Sequence, residues 1–324
     1  MSFVLRDEQP TGWHTEAGIV PQADANGDTC RERFSLSPLI ATSRVVAHGA
    51  DRFRQPGVIE RLADRMARMP ISPSVRRGLK RVYRLALMVQ TGGRGLPRVL
   101  PGGETIRVLP EHAYLSWNPE EYQAFREAVR PGMVALDVGA NVGAYSTLLG
   151  RWVGSSGSVF AFEPSPPAFQ GLVRHIALNH LSAVVTPICA AVGQASTTAR
   201  LVVAGSVGES RLAIPSDGDE LTIPVPVTTI DEFCGREPIA PDFIKIDVEG
   251  SELAVLRGAR ETIRARRGKL ALFVEMHAST WPTLGVSRDD LVAELRALSL
   301  AAEPLTPTAD MWALEGICLR LVEI

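Results

Sequence analysis

No stretch of this sequence is apolar for the ~20 residues that a bilayer span requires. The opening MSFVLRDEQPTGWH lacks the apolar centre of a signal peptide. Neither export nor membrane insertion is therefore expected, and the chain reads as cytoplasmic. Its four cysteines, Cys30, Cys189, Cys234 and Cys318, lie far apart, so there is no C-x-x-C metal or redox signature. Dispersed cysteines in a chain of this size read as reduced thiols. Charge of one sign is not in excess either: the net charge is -2, which gives no global pull toward nucleic acid or a stable membrane association. There is no internal repeat and no low-complexity tract. A substrate must be recognised locally.

What is present is a soluble composition, 45% hydrophobic and 22% charged over 324 residues, enough for one large domain with an extension. Residues 1–37 are polar and aperiodic and read as a flexible leader. Residues 38–104 read as a basic helical extension and linker. Within it, residues 58–89 carry arginines around a stripe of Leu62, Met66 and Met69, divided by Pro70 and Pro73 into two helices. A solvated basic face over a packed stripe is the favoured reading. The glycine- and proline-rich stretch 91–103 reads as a linker. Residues 105–109 and 113–116 are expected to pair as a hairpin. Asn118 is placed to cap a helix with Pro119 in its first turn.

From Gly132 onward short apolar strands alternate with helices. Strands are expected at 134–138, 159–162, 184–188, 243–248, 270–276 and 317–322, and helices at 143–153, 167–179, 252–266 and 287–298. Hairpin strands are expected at 199–203 and 222–227. This rhythm specifies an α/β fold, Rossmann-like and doubly wound, whose sheet is mostly parallel and covered on both faces, over residues 105–324.

The strongest local signal is VALDVGANVGAYS, residues 134–146: strand, acid, Gly-x-Asn-x-Gly, helix. Gly139 and Gly143 permit a tight turn and a close approach of ligand to backbone, and the new helix offers free N–H groups. Glu163, ending the next strand in VFAFEPS, is placed to accept hydrogen bonds from both hydroxyls of a ribose. Dinucleotide binders carry G-x-G-x-x-G, and the middle glycine that admits a pyrophosphate is missing here. The turn therefore suits a nucleoside cofactor with an amino-acid end, Asp137 facing its ammonium and the helix N-terminus its carboxylate.

These segments, with TTIDEF (228–233), DFIKIDVEGSELAVLRGA (242–259) and LFVEMH (272–277), resemble the FkbM family of S-adenosylmethionine-dependent methyltransferases in order and spacing. The resemblance covers about residues 115–300. It implies a class I methyltransferase sheet, S-adenosylmethionine as cofactor, and methylation of a hydroxyl on a natural product, sugar or related metabolite. Carried over by position, it assigns the cofactor to Asp137, Gly139, Asn141, Gly143, Glu163 and Ser165. Ile230 departs from the family's usual leucine conservatively.

Methyl transfer needs an oriented acceptor oxygen and a group to take its proton. Period two places Lys245 and Asp247 on one face of their strand, with Asp247 and Glu249 at its carboxyl edge. Glu275 and His277 end the next strand at the same rim. Lys245, Asp247, Glu249, Glu275 and His277 are the catalytic candidates, His277 being the natural base at neutral pH. Alternatively, Lys245 and one carboxylate form a structural ion pair and Glu249 caps the next helix. The carboxylates and histidine together could ligate a divalent ion, but clustered carboxylates commonly hold none, and the reading adopted is no metal. Trp117 and Tyr122 read as core rather than cleft lining. The rival functions are a nicotinamide-dependent oxidoreductase and a non-catalytic nucleotide-binding module. The extension is expected to cover the active site or to form a homodimer contact.

Overall fold

The computed structural model describes residues 72–202, 211–213, 222–236, 239–308, 310–313 and 315–324. The leader, the first of the two basic helices and most of the loop at 204–219 lie outside them. Helix α1 (Pro73–Thr91) begins on Ser72, whose hydroxyl accepts the Val75 amide, and stops where Gly92 turns left-handed. It packs Leu87 into the core, while Val82, Leu85 and Val89 face outward.

The stretch read as a linker contains a strand, β1 (Leu96–Val99), antiparallel to β2 (Thr105–Val108). The expected pairing of β2 with residues 113–116 is thus wrong. The tight turn at 101–103, where the Gly103 amide donates to the Leu100 carbonyl, returns the chain on the other side of β2. Helix α2 (Pro119–Ala128) is capped as its sequence predicts, Asn118 accepting the amides of Glu120 and Glu121. Trp117 and Tyr122 both lie in the core.

The alternating region follows as β3 (Val134–Val138), α3 (Ala144–Val153), β4 (Ser158–Phe162), α4 (Pro166–Leu178) and β5 (Val185–Ile188). Next come β6 (Ala191–Val192), β7 (Thr197–Val202), β8 (Arg211–Leu212), β9 (Thr222–Thr228) and α5 (Ile230–Arg236). The chain continues through β10 (Phe243–Ile246), α6 (Glu252–Arg257), α7 (Arg260–Ala265) and β11 (Ala271–Met276). It closes with α8 (Arg288–Ala297), β12 (Leu300–Pro304) and β13 (Ile317–Glu323).

The main sheet has the order β12-β13-β11-β10-β3-β4-β5. Strands β11, β10, β3, β4 and β5 run parallel, and β13 and β12 are antiparallel additions. The chain winds outward from β3 to β5, then returns to lay β10 on the other side of β3. The crevice at this reversal is where open α/β sheets bind ligands. Strands β6 to β9 form a separate sheet, and the expected strands near 199 and 222 pair within it as β7 and β9.

Period two divides the core. Ala135, Val159 and Phe243 pack with Phe125, Leu148, Leu149 and Leu172 on one face. Leu136, Val138, Ile244 and Ile246 pack with Leu253, Leu256, Ile263 and Leu295 on the other.

Two boundaries differ from the sequence reading for steric reasons. The helix expected at 252–266 breaks into α6 and α7 at Gly258. A Cβ there would run into the backbone carbonyl of Gly193, and the Gly258 carbonyl accepts the Asp231 amide. The Asp231 carboxylate then caps α7 by accepting the amides of Glu261 and Thr262. The strand expected to reach 248 ends at Ile246, and residues 247–250 form a turn. The reading of unpaired thiols also needs correction: Cys234 and Cys318 are free, but Cys189 is disulfide-bonded. Separation in sequence does not limit closeness in space. Among the described residues no helix is long and apolar enough to cross a membrane.

His175 of α4 ties the glycine bend to the hairpin region. Its Nε2 accepts the Leu109 amide at 2.9 Å, and its Nδ1 therefore carries the proton and donates to the Val142 carbonyl at 2.6 Å. Burial holds its pKa down to about 4, against the Val142 bond. The unfolded chain takes up this proton near pH 6.5, so the contribution is intact above that pH and is lost as pH falls toward 4. Between pH 7.5 and 5 the loss should be about 2 kcal/mol. Urea unfolding of wild type and His175→Gln at both pH values checks this: the variant should show a smaller acid loss, and parallel losses would mean that His175 is not held neutral.

Candidate functional site

The bend after β3 is a run of left-handed backbone: φ is 81° at Gly139, 51° at Asn141 and 87° at Gly143. The amides of Gly139 and Ala140 both donate to the Phe162 carbonyl at the end of β4. A Cβ on Gly139 would lie well inside contact distance of the Asp247 carbonyl oxygen. The first glycine is therefore demanded by the turn after β10, and the ends of β3, β4 and β10 are drawn together. Gly143 has a different reason: a Cβ there would meet the Leu172 side chain of α4 at 2.7 Å.

Glu163 sits across this bend with its carboxylate buried. It accepts the amides of Asn141 at 2.8 Å and Ser165 at 2.7 Å. Burial pushes its pKa up to about 7 while these backbone bonds pull it down. The acid thus aligns both loops and keeps lone pairs toward the cleft. Gly139, Asn141, Glu163 and Ser165 all wall one open cleft. Two predicted residues are not walls. Asp137 lies behind the bend, its Oδ2 accepting the Ser146 hydroxyl at 2.5 Å and its register partner in β10 being Lys245. Gly143 faces α4.

The same cleft continues to Asp247, Val248 and Glu249. Lys245 is buried, donates to Asp247 Oδ2 at 2.8 Å and has its ammonium 5.3 Å from the Tyr145 ring centroid. It braces Asp247 and does not line the cleft. Burial would raise the Asp247 pKa, but the charges of Lys245 and His277 and the hydrogen bonds from Lys245 and Glu275 together outweigh it and hold the carboxyl low. Burial and the Asp247 charge raise Glu275 well above the usual carboxylate range.

His277 stands at the centre of the rim, its Nε2 3.9 Å from Asp247, 3.6 Å from Glu249 and 3.8 Å from Glu275. Its Nδ1 is 2.9 Å from Glu252 Oε1. Burial lowers its pKa, but Glu252 and the surrounding carboxylates outweigh that and push it up to about 10. With no cation beside the ring, the acidic neighbours thus favour its protonated form over the free base expected at neutral pH. Burial brings Glu249 to about 7. Glu249 does not cap the next helix, whose N-cap is Ser251 without a side-chain bond. It holds a left-handed φ of 49° and faces His277, the kind of backbone strain that collects at functional sites.

Sequence reasoning missed the support behind this rim. Glu252, wholly buried, also accepts the Gly250 amide and the Trp281 indole N–H. It reads in sequence only as the start of a helix. Glu121, bonded to the Tyr145 hydroxyl at 2.5 Å, reads only as a residue in the first turn of α2. The cleft walls Ala190, Leu201, Arg211 and Leu212 were also missed, and carry no motif.

The profile of the methyltransferase FkbM domain matches residues 137–300, half of the chain. A hexuronic acid methyltransferase, AglP, of Haloferax volcanii is 28% identical over 176 residues, 52% of this chain and 64% of that protein. Methyltransferase 1 of Beauveria bassiana is 25% identical over 142 residues, 38% of this chain and 57% of that protein. The chain thus spans under two thirds of the length of either curated relative. A solved methyltransferase FkbM from Methylobacillus flagellatus aligns with 63% of this chain and 50% of its own at 23% identity, with a TM-score of 0.40. The chain belongs to the FkbM methyltransferase domain family, whose cofactor is S-adenosylmethionine.

Proposed function

We propose that this chain transfers a methyl group from S-adenosylmethionine to a hydroxyl of a small molecule, a sugar or related metabolite. The observation that carries the reading is the continuity of the cleft: Gly139, Asn141 and Glu163 wall the same cavity as Asp247 and Glu249. The residues fit the cofactor. Glu163 presents carboxylate lone pairs where ribose hydroxyls need acceptors, and the buried Asn141 Oδ1 at the bend has no hydrogen-bond partner among the described residues. The similarity to a hexuronic acid methyltransferase supports a sugar-like acceptor.

Bound S-adenosylmethionine supplies a methyl on a sulfonium sulfur, so the acceptor oxygen gains a C–O bond as the C–S bond breaks. The chain orients that oxygen and receives its proton. Glu249 is placed for the proton by geometry, since it lines the cleft and is the most exposed of the rim acids. Lys245 and Glu252 act through their partners: Lys245 positions Asp247, and Glu252 positions His277. The N-terminal extension and the loop near residues 204–219 would shape acceptor choice.

Calorimetry with S-adenosylhomocysteine tests the cofactor end. Glu163→Ala should lose at least about 100-fold in affinity, since a carboxylate that aligns two loops and meets two hydroxyls disappears together. Unchanged affinity would reject the site. Labelled methyl transfer into a panel of sugars and uronic acids tests the acceptor class, and label found only in non-hydroxyl products would reject the proposed chemistry.

A further inference from the structure

The rim contains more acid than its described cations balance. Asp247, Glu249, Glu252 and Glu275 all face His277, with Lys245 the buried lysine beside them. Charge excess alone identifies nothing, but the arrangement of His277 is more specific. The side chain is 8% exposed, and its two ring nitrogens both lie among carboxylates. Nδ1 has Glu252. Among the described residues Nε2 has no hydrogen bond, and its nearest acceptors, three carboxylates, stand at 3.6–3.9 Å. Those separations are too long for hydrogen bonds. Ligands that lie about 2.0–2.2 Å from one ion stand roughly 3.0–3.6 Å apart, so a small inward shift of the carboxylates would bring all three groups onto a shared ion.

We infer that Asp247, Glu275 and His277 form a divalent metal site, and that Glu252 is its positioning residue. One ligand atom from each lies within 4.8 Å of the others. The donor set, one imidazole nitrogen with two carboxylates, suits a first-row ion such as Mn2+ or Zn2+ better than Ca2+ or Mg2+, which favour all-oxygen shells. Ligating histidines characteristically give their other ring N–H to a carboxylate, which fixes the tautomer and aims the ring. Glu252 does this, and it is itself held by the Gly250 amide and the Trp281 indole. Of the three ligands Asp247 alone walls the cleft, beside Glu249, so the ion would meet the cleft on the Asp247 side. The reading adopted from sequence was no metal; the proposal departs from it on the placing of His277 and Glu252, which no sequence pattern reports.

The role of the ion rests on the proposed function; its binding does not. An acceptor hydroxyl bound to the ion loses its proton more readily, and Glu249, 3.6 Å from Nε2, stands where that proton would go. An acceptor with a second oxygen donor next to the hydroxyl would bind better than an isolated alcohol.

The test uses the full chain, stripped with chelator and titrated with Mn2+ alone, without cofactor or acceptor. Free Mn2+ followed by electron paramagnetic resonance should show one site per chain, and the pulsed spectrum should show a coordinated nitrogen. His277→Gln should remove the nitrogen coupling. Glu275→Gln should weaken binding by about 10–100-fold or more, with S-adenosylhomocysteine affinity retained as the sign of an intact fold. If His277→Gln does not fold, Glu275→Gln and the wild-type nitrogen signal still decide. No stoichiometric binding, binding without nitrogen coupling, or binding unmoved by Glu275→Gln each overturns the site. Methyl transfer at full rate in metal-free protein would overturn the ion's role and leave the methyltransferase reading standing. One bound Mn2+ with no transfer to any hydroxyl would do the reverse.

Discussion

Gly139→Ala is expected to destabilise the protein by at least about 3 kcal/mol and to abolish S-adenosylhomocysteine binding. Two costs coincide at this position. The backbone stands at φ 81°, which an L side chain rarely adopts, and the added methyl would overlap the Asp247 carbonyl oxygen. That oxygen belongs to backbone and cannot swing aside. Relief requires the bend after β3 and the turn after β10 to part, which opens the cofactor end and the acceptor end of the cleft together. Gly103→Ala separates the two costs, since it has a similar φ of 76° with nothing within 4 Å of the added carbon. It should cost only the backbone strain, about 1–2 kcal/mol. Thermal unfolding and calorimetry of both variants supply the measurement. Equal losses in the two would mean that Gly139 is wedged against nothing.

Lys245→Met is the second large effect. The lysine is 3% exposed and donates to Asp247, and its row in the sheet sets it beside Asp137. Removing one partner of a buried pair typically costs about 3–5 kcal/mol, because the other charge stays buried without compensation. Here the remaining negative charge includes Asp137, Asp247 and Glu275, all of which Lys245 influences. A fall in melting temperature of roughly 10 °C is expected for a domain of this size. Methyl transfer should fall further than stability explains, because Asp247 loses its brace. A variant melting within a degree or two of wild type would show that the ammonium does not hold the acids together.

Much of this molecule can be read from its residues in order. Apolar strands with period two, helices started by Asn118 and Ser287, and the acid-glycine bend are local patterns, and local patterns follow from steric and hydrogen-bonding rules within a few residues. The structure has Ser287 in a reciprocal capping box with Asp290 and α8 following it. The α/β class and the gathering of Asn141, Glu163 and Ser165 at one cleft were legible for the same reason, since strand ends in such a sheet meet along one edge. Errors arose where a choice between local options was settled from a distance. Strand β2 had two flanking candidates, and the turn at 101–103 selected β1. The helix after β10 breaks at Gly258 because another segment's carbonyl at Gly193 occupies the space beside it.

The sequence by itself therefore determined the sheet, the order of its elements, the family and the two ends of the site, because each is written within runs of about ten residues. Only the tertiary structure decided the protonation of His277, the bracing role of Lys245, the concealment of Asp137 and the support given by Glu252. Those properties depend on which charges and carbonyls come close together across elements far apart in sequence. Burial amplifies such contacts, and neither burial nor distance is encoded in spacing along the chain.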